Sequence, residues 1–171
     1  MNSSHPLKRC FPLGSPIDGP VEFELARDFN GKLNVQGWFM SEKLDGVRCC
    51  WTGRELITRG GRTIKLPSFF KRAFPRSPLD GELYMGNGQY QALVRFIEQE
   101  QRTEEEWLRV TFVVFDAPTL NLQFRHRLEA MKRVFHSQLS NFIALIEYKS
   151  VTSREQLDQE VRVVQEKGTV S

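Results

Sequence analysis

The stretch Ser41-Glu42-Lys43-Leu44-Asp45-Gly46-Val47-Arg48 places a lysine, a glycine and an arginine at short, fixed spacing. A lysine attacks phosphorus only as the neutral amine, and it can then carry the transferred group as a covalent intermediate. Gly46 allows the backbone to turn tightly or to approach a ligand closely. The planar fork of donors on Arg48 suits ribose or phosphate oxygens. Because Lys-x-Asp-Gly by itself is more often a surface turn, its interpretation depends on the rest of the chain.

Three further segments follow in a fixed order, and each combines charged residues with glycine or aromatic residues. They are Thr58-Arg59-Gly60-Gly61, Leu79-Asp80-Gly81-Glu82-Leu83 and Phe112-Val113-Val114-Phe115-Asp116. Together with the Lys43 segment, they resemble motifs I, Ia, III and IIIa of the lysine nucleotidyltransferase superfamily, which contains ATP-dependent DNA ligases, RNA ligases and mRNA capping enzymes. The arginine before the two glycines and the LDGEL sequence favour the DNA ligase branch. The residues that flank Lys43 look like those of small bacterial or viral ligases, and the resemblance covers roughly residues 25 to 168.

This resemblance implies a stepwise reaction on ATP and nicked double-stranded DNA. The catalytic residue Lys43 attacks the α-phosphate of ATP, releases pyrophosphate and holds AMP as a phosphoramidate. AMP then passes to the 5′-phosphate of the nick, and the 3′-hydroxyl displaces it to seal the strand. Because each displacement concentrates negative charge on phosphoryl oxygens, a divalent cation is implied, and Mg2+ is the hard, oxygen-seeking choice.

The resemblance also assigns roles to residues beyond Lys43. Glu82 matches a glutamate that contacts the ribose and supports metal binding, and Phe115 matches an aromatic residue that stacks on adenine. Without the resemblance, they would be a strand-edge carboxylate and a core side chain. Arg59 matches a contact to the phosphate end of AMP or the nick, although a solvated hairpin arginine fits the sequence as well. The predicted nucleotide-binding residues are Ser41, Glu42, Arg48, Arg59, Glu82 and Phe115, with Glu82 also the predicted metal ligand.

The succession of apolar runs and turn signals predicts an α+β fold with mainly antiparallel sheets and flanking helices. The resemblance implies the same architecture, the ATP-grasp-like fold of the DNA ligase adenylation (nucleotidyltransferase) domain. Predicted strands cover residues 47–51, 55–58, 79–84, 110–116 and 142–148. Predicted helices follow Pro67 and cover 89–99 and 124–139, and a last helix runs from the capping-box sequence Thr152-Ser153-Arg154-Glu155 to Gly168.

Several side chains have predicted structural positions. Phe112 and Phe115 are an odd number of residues apart, so a regular strand directs one into the core and the other to the opposite face. Asp116 is expected to support the end of its strand. The last helix is expected to bury Leu157, Val161 and Val164, while the basic residues of the 124–139 helix are interpreted as a solvated face rather than a DNA contact.

The composition limits compartment and partners. The chain has 171 residues, a net charge of +3 and a pI near 8.9, which permits a polyanionic partner without requiring one. Its three cysteines include no CxxC pair, which argues against structural zinc and for a reducing, intracellular location: nucleus or mitochondrion in a eukaryote, cytoplasm in a bacterium. No apolar run approaches the roughly 20 residues of a membrane span. We expect no membrane association and a monomer.

The expected domain organisation is a loose leader at residues 1–20 and a partial adenylation domain at 21–171. In the family pattern, motif IIIa is followed by motifs IV and V and by an OB-fold domain, and we find none of these after Gln165. We therefore expect an incomplete ligase with reduced or absent activity. The alternatives are an RNA ligase or capping-type nucleotidyltransferase, or a non-catalytic nucleotide-binding remnant.

Overall fold

The computed structural model describes residues 16–19, 21–23, 29, 31–136 and 140–166. The chain divides into two compact units, each made of two separate stretches of sequence. The larger unit comprises Met1–Phe23 and Leu44–Leu145, and the smaller unit comprises Glu24–Lys43 and Ile146–Ser171. None of the helices in these described ranges is long and apolar enough to cross a membrane. The division into a leader and one partial domain stays a prediction.

Short strands and helices alternate along the described chain. The strands are β1 (Phe39–Met40), β2 (Val47–Trp51), β3 (Leu56–Thr58), β4 (Thr63–Ile64), β5 (Leu79–Tyr84), β6 (Thr111–Asp116), β7 (Ile143–Leu145) and β8 (Lys149–Ser150). The helices are α1 (Ser68–Arg72), α2 (Tyr90–Glu98), α3 (Glu104–Trp107), α4 (Phe124–His136) and α5 (Arg154–Glu166).

A six-stranded sheet with the order β4-β3-β2-β5-β6-β7 organises the larger unit. Neighbouring strands are antiparallel except β6 and β7, which run parallel. The mixed composition and the mainly antiparallel sheet confirm the predicted α+β class. The predicted strand at 142–148 is shorter than expected, because β7 ends at Leu145 and β8 pairs elsewhere.

The core of the larger unit follows from the alternation of side chains along its strands. In β5, every second residue from Leu79 is buried and the residues between are half-buried, as expected for a strand with one face in the core. The ring of Phe74, just after α1, lies 4.5 Å from that of Trp51 and 5.2 Å from that of Phe112, measured between centroids. The short helix predicted after Pro67 is present as α1, and Phe74, which follows it, packs its ring against the aromatic side chains of the sheet.

A β-bulge lies where β5 and β6 meet. Asp80 is opposite Asp116, whereas the next residue of β5, Gly81, is opposite Val114, so Phe115 is the extra residue of β6. A Cβ atom on Gly81 would lie 2.5 Å from the carbonyl oxygen of Val113. Glycine at this position therefore allows the two strands to approach closely at the bulge.

The smaller unit contains the antiparallel pair of β1 and β8 together with α5. The predicted cap of α5 is displaced by one residue: the Ser153 hydroxyl accepts the N–H of Gln156, whose side-chain oxygen accepts the N–H of Thr152 at 2.8 Å. The predicted buried stripe was wrong for Val161, which is 45% exposed within the part of the chain described. Gly168, the predicted end of this helix, lies outside the described residues.

Candidate nucleotide-binding site

Gly46 and Glu82 connect the start of β2 to the middle of β5. The N–H of Gly46 donates to Oε1 of Glu82 at 2.9 Å. A Cβ atom at position 46 would lie 2.2 Å from the carbonyl oxygen of Leu83 and 2.8 Å from Cγ of Glu82. Since a real Cβ cannot approach backbone so closely, the contact requires glycine. Glycine is therefore required at position 46, because the backbone there packs closely against Glu82, the predicted ribose and metal ligand.

Arg48 is held by a carboxylate two positions from Glu82 in β5. Its Cα is paired with that of Glu82, but its guanidinium reaches Asp80, with Nη2 2.8 Å from Oδ2 and Nε 3.3 Å from Oδ1. The side chains are 21% and 13% exposed, so solvent screens the pair only partly. Burial raises the pKa of Asp80, and the hydrogen bond from Arg48 opposes that rise. Arg48 is therefore fixed at its charged end.

Phe115 lies beside the same guanidinium. The Cζ atom of Arg48 is 5.5 Å from the ring centroid of Phe115 and 5.4 Å from that of Phe23, both within the range of cation–π interactions. Phe112 is fully buried, whereas Phe115 is half-buried. The prediction that one of these two aromatic residues is core and the other is not is confirmed.

Arg59 is exposed in the turn between β3 and β4. Its N–H donates to the carbonyl oxygen of Arg48 at 3.0 Å, so the turn is joined to β2 next to the ion pair with Asp80. The hydroxyl of Thr58 accepts the N–H of Arg62 at 3.0 Å and closes the turn. The backbone of Arg59 is thus fixed, while its side chain extends from an exposed turn.

Asp116 has the structural role that was predicted for it. Its Oδ1 accepts the N–H of Ala117 at 2.7 Å, and Arg127 donates to both of its carboxylate oxygens at 2.7 Å. Arg127 was interpreted as part of a solvated basic face, which was wrong for this residue, because it forms a two-pronged ion pair that is about four-fifths buried. The two adjacent carboxylates of Asp80 and Asp116 each have an arginine, and this relieves their mutual repulsion.

The two units divide the predicted residues between them. The larger unit contains Arg48, Arg59, Glu82 and Phe115, and brings Arg48, Glu82 and Phe115 onto neighbouring strands. The smaller unit contains Ser41, Glu42 and Lys43, all of them exposed. Lys43 is the last residue of its stretch and is bonded directly to Leu44 of the larger unit.

Sequence reasoning missed two neighbours of Arg48. Asp80 had a signal, because residues 80 and 82 are two apart in a strand and so share a face next to β2. No sequence signal indicated Phe23, because it lies outside all four motif segments.

Other titratable groups contribute less to the site. Cys49 and Cys50 are free and buried, and burial raises the pKa of both thiols, that of Cys50 to about 12. Among the described residues, no group of three or more His, Cys, Asp or Glu side chains is arranged to hold a metal ion.

The comparisons with known proteins point to one family. A DNA ligase of Haemophilus influenzae is 31% identical over 139 residues, which are 80% of this chain and 51% of that protein. A structure solved in a study of DNA binding with a minimal scaffold by Lig E DNA ligases has 27% identity and a TM-score of 0.78, covering 89% of this chain and 59% of that one. The structure designated Pmar-Lig_PreS3 shares the fold, with a TM-score of 0.55, 18% identity and coverage of 75% and 35% of the two chains.

These matches extend over only part of each known protein. No family model matches the sequence. The chain spans about half the length of the curated relative it matches. On sequence identity and shared fold together, the chain is similar to part of the DNA ligases.

Proposed function

We propose that this chain is the nucleotide-accepting part of an ATP-dependent DNA ligase and that Lys43 is the residue that carries AMP. The observation that carries the proposal is that Gly46, just before β2, meets Glu82 of β5, while Arg48 of β2 meets Phe115 of β6. These four residues come from three of the motif segments, and two proteins that the chain resembles are DNA ligases.

The proposed first step is a transfer of AMP to nitrogen. The Lys43 amine forms a bond to the α-phosphorus of ATP, the bond to the pyrophosphate oxygen breaks, and the proton on nitrogen goes to solvent or a base. Arg48 binds the ribose, and its ion pair with Asp80 orients it before the nucleotide arrives. Such preorganised donors act without having to reorient during the reaction. Phe115 stacks on the adenine, and Arg59 binds the phosphate end.

The proposed later steps complete nick sealing. An oxygen of the DNA 5′-phosphate takes AMP from Lys43, and the 3′-hydroxyl then displaces AMP as the strands join. Nicked double-stranded DNA is the proposed substrate of the complete reaction.

Magnesium is the proposed cation. Mg2+ in nucleotide sites is usually held by one or two carboxylates plus phosphate oxygens, and Glu82 provides one carboxylate. When bound, the ion stabilises negative charge on the phosphoryl oxygens. The N–H of Gly46 donates a hydrogen bond to Oε1 of Glu82, and this bond fixes the direction in which the carboxylate points.

The alternative readings within the superfamily, an RNA ligase or a capping enzyme, are not favoured, because the relatives found are DNA ligases. A non-catalytic nucleotide-binding protein is the remaining alternative, and the following experiment separates it from a ligase.

The purified 171-residue protein is incubated with ATP and Mg2+, and its intact mass is measured. We expect an AMP-sized adduct in the wild type and in Lys65→Ala, which removes another exposed lysine, and none in Lys43→Ala. Adenylated protein is then given nicked DNA or nicked RNA, and GTP replaces ATP in a parallel reaction. A folded wild type that gains no mass would overturn the proposal for this chain.

A further inference from the structure

Residues 16–19 and 21–23 include contacts to β2 and to the turn that follows it. The N–H of Ile17 donates to the carbonyl oxygen of Thr52 at 2.9 Å, and Asp18 pairs with Arg54 in the turn. At the other end of the segment, the ring of Phe23 lies over the guanidinium of Arg48. Phe23 belongs to the larger unit although the chain then passes into the smaller one.

The guanidinium of Arg48 is bounded by one carboxylate and two aromatic rings. Asp80 binds its edge with two hydrogen bonds. The rings of Phe23 and Phe115 lie at almost equal distances from Cζ, 5.4 and 5.5 Å. A long arginine side chain has many rotamers, so each neighbour that restricts it lowers the entropy lost when a ligand binds.

Phe23 differs from the core aromatic residues of the larger unit. It is half-buried, whereas Phe70 and Phe112 are fully buried. Replacing it therefore removes less apolar contact from the core, while it removes the ring that faces Arg48. The replacement of Phe23 is therefore expected to change nucleotide binding more than the stability of the fold.

We propose that Phe23 is a positioning residue, which holds Arg48 beside Phe115 in the orientation that receives the nucleotide. The expected effect on ATP binding rests on the proposed function. The effect of Phe23 on the position of Arg48 in the unliganded protein does not depend on it.

The kinetic test measures the rate of AMP attachment to Lys43 against ATP concentration. Phe23→Ala and Phe23→Leu remove this cation–π contact, so they should raise the half-saturating ATP concentration about 3- to 10-fold, which corresponds to about 0.65–1.4 kcal/mol. The maximal rate should change less than about twofold, and Phe23→Tyr, which keeps the ring, should restore half-saturation to within about twofold. Phe29→Ala is the matched control, because the ring centroid of Phe29 lies 4.9 Å from Cζ of Arg154, which is not a predicted nucleotide ligand.

A double substitution separates positioning from general destabilisation. In an Arg48→Ala background, Phe23→Ala should have less than about a twofold further effect, because the group it positions is gone. An undiminished effect in that background, or wild-type behaviour of Phe23→Leu, would overturn the proposal.

A second measurement does not depend on adenylation. Solvent exchange of the Arg48 Nε–H is followed by NMR in the unliganded protein. Exchange should be at least about threefold faster in Phe23→Ala and Phe23→Leu, and unchanged in Phe23→Tyr and Phe29→Ala. If the wild type gains no AMP, the proposed function fails while this measurement still decides the role of Phe23. Unchanged exchange in Phe23→Ala refutes it.

Discussion

The two units differ in whether they bury ion pairs. In the larger unit, the pairs of Arg48 with Asp80 and of Arg127 with Asp116 are about four-fifths or more buried, while two further pairs are exposed, those of Arg54 with Asp18 and of Lys132 with Glu129. In the described part of the smaller unit, the pairs of Lys149 with Glu160 and of Arg154 with Asp158 are each about one-third to one-half exposed. Exposed pairs contribute little to stability, whereas breaking a buried pair leaves an uncompensated charge.

Apolar side chains show the same contrast. Among the described residues, the smaller unit buries the apolar side chains of Val35 and Val151, and the other buried apolar side chains belong to the larger unit. Both units also expose some apolar side chains, such as Leu108 at 63% in the larger and Leu33 at 52% in the smaller. The proposed nucleotide ligands Arg48 and Glu82 thus lie in the unit with the larger buried core, while Lys43 belongs to the unit with fewer buried apolar side chains among the described residues.

The largest difference between the units is expected from adding one methyl group to a glycine. In Gly81→Ala, the new Cβ would meet the carbonyl oxygen of Val113 at 2.5 Å and the ring of Phe112 at 2.7 Å. We expect a loss of about 3 kcal/mol or more in the free energy of unfolding, since neither neighbour is free to move. Gly37→Ala is the control in the smaller unit: its Cβ meets nothing within 4 Å, and only the φ of +81° is unfavourable, at about 1 kcal/mol.

Denaturant unfolding of both glycine variants measures this contrast. Equal losses at Gly81 and Gly37 would mean that the sheet relaxes around the bulge, and that the larger unit is less rigid than its packing indicates.

A smaller difference is expected from removing one arginine from each unit. Arg127→Ala leaves the carboxylate of Asp116 about four-fifths buried without its two-pronged partner, and we expect a loss of about 2 kcal/mol. Arg154→Ala removes an exposed pair and should cost about 0.5 kcal/mol, most of it lost at high salt. Unfolding midpoints at low and high ionic strength check both values, and a strong salt dependence for Arg127→Ala would contradict the burial of its pair.

The sequence predicted the larger unit better than the smaller one, for a physical reason. Alternation along β5 and the odd spacing of Phe112 and Phe115 depend on the local geometry of one strand, which the chain itself encodes. The neighbours of Arg48 depend on strand pairing and on where Phe23 lies, neither of which a motif specifies. The interpretation of Arg127 as solvated failed for the same reason, because its partner Asp116 lies in another element.

The prediction for α5 failed differently. Helical spacing identifies which residues share a face, but not whether another element covers that face. Leu157 and Val164 are half-buried in the described structure, while Val161 between them is 45% exposed. The prediction that a hydroxyl side chain caps this helix was correct, but the capping residue is Ser153 and not Thr152. Both residue types cap helices well, and the side chain of Gln156, which accepts the N–H of Thr152, favours Ser153 as the cap.

The smallest expected effect is that of Val161→Thr, a change of one methyl to a hydroxyl at nearly constant volume. Because Val161 is 45% exposed, the hydroxyl stays in water, and the free energy of unfolding should change by less than about 0.5 kcal/mol. The same substitution at Val114, which is fully buried in β6, places a hydroxyl where no partner is provided and should cost about 2 kcal/mol. Unfolding midpoints of the two variants compare the units with identical chemistry. A cost at Val161 that matches the cost at Val114 would mean that α5 is covered in solution, so the contrast in apolar burial between the units would have to be abandoned.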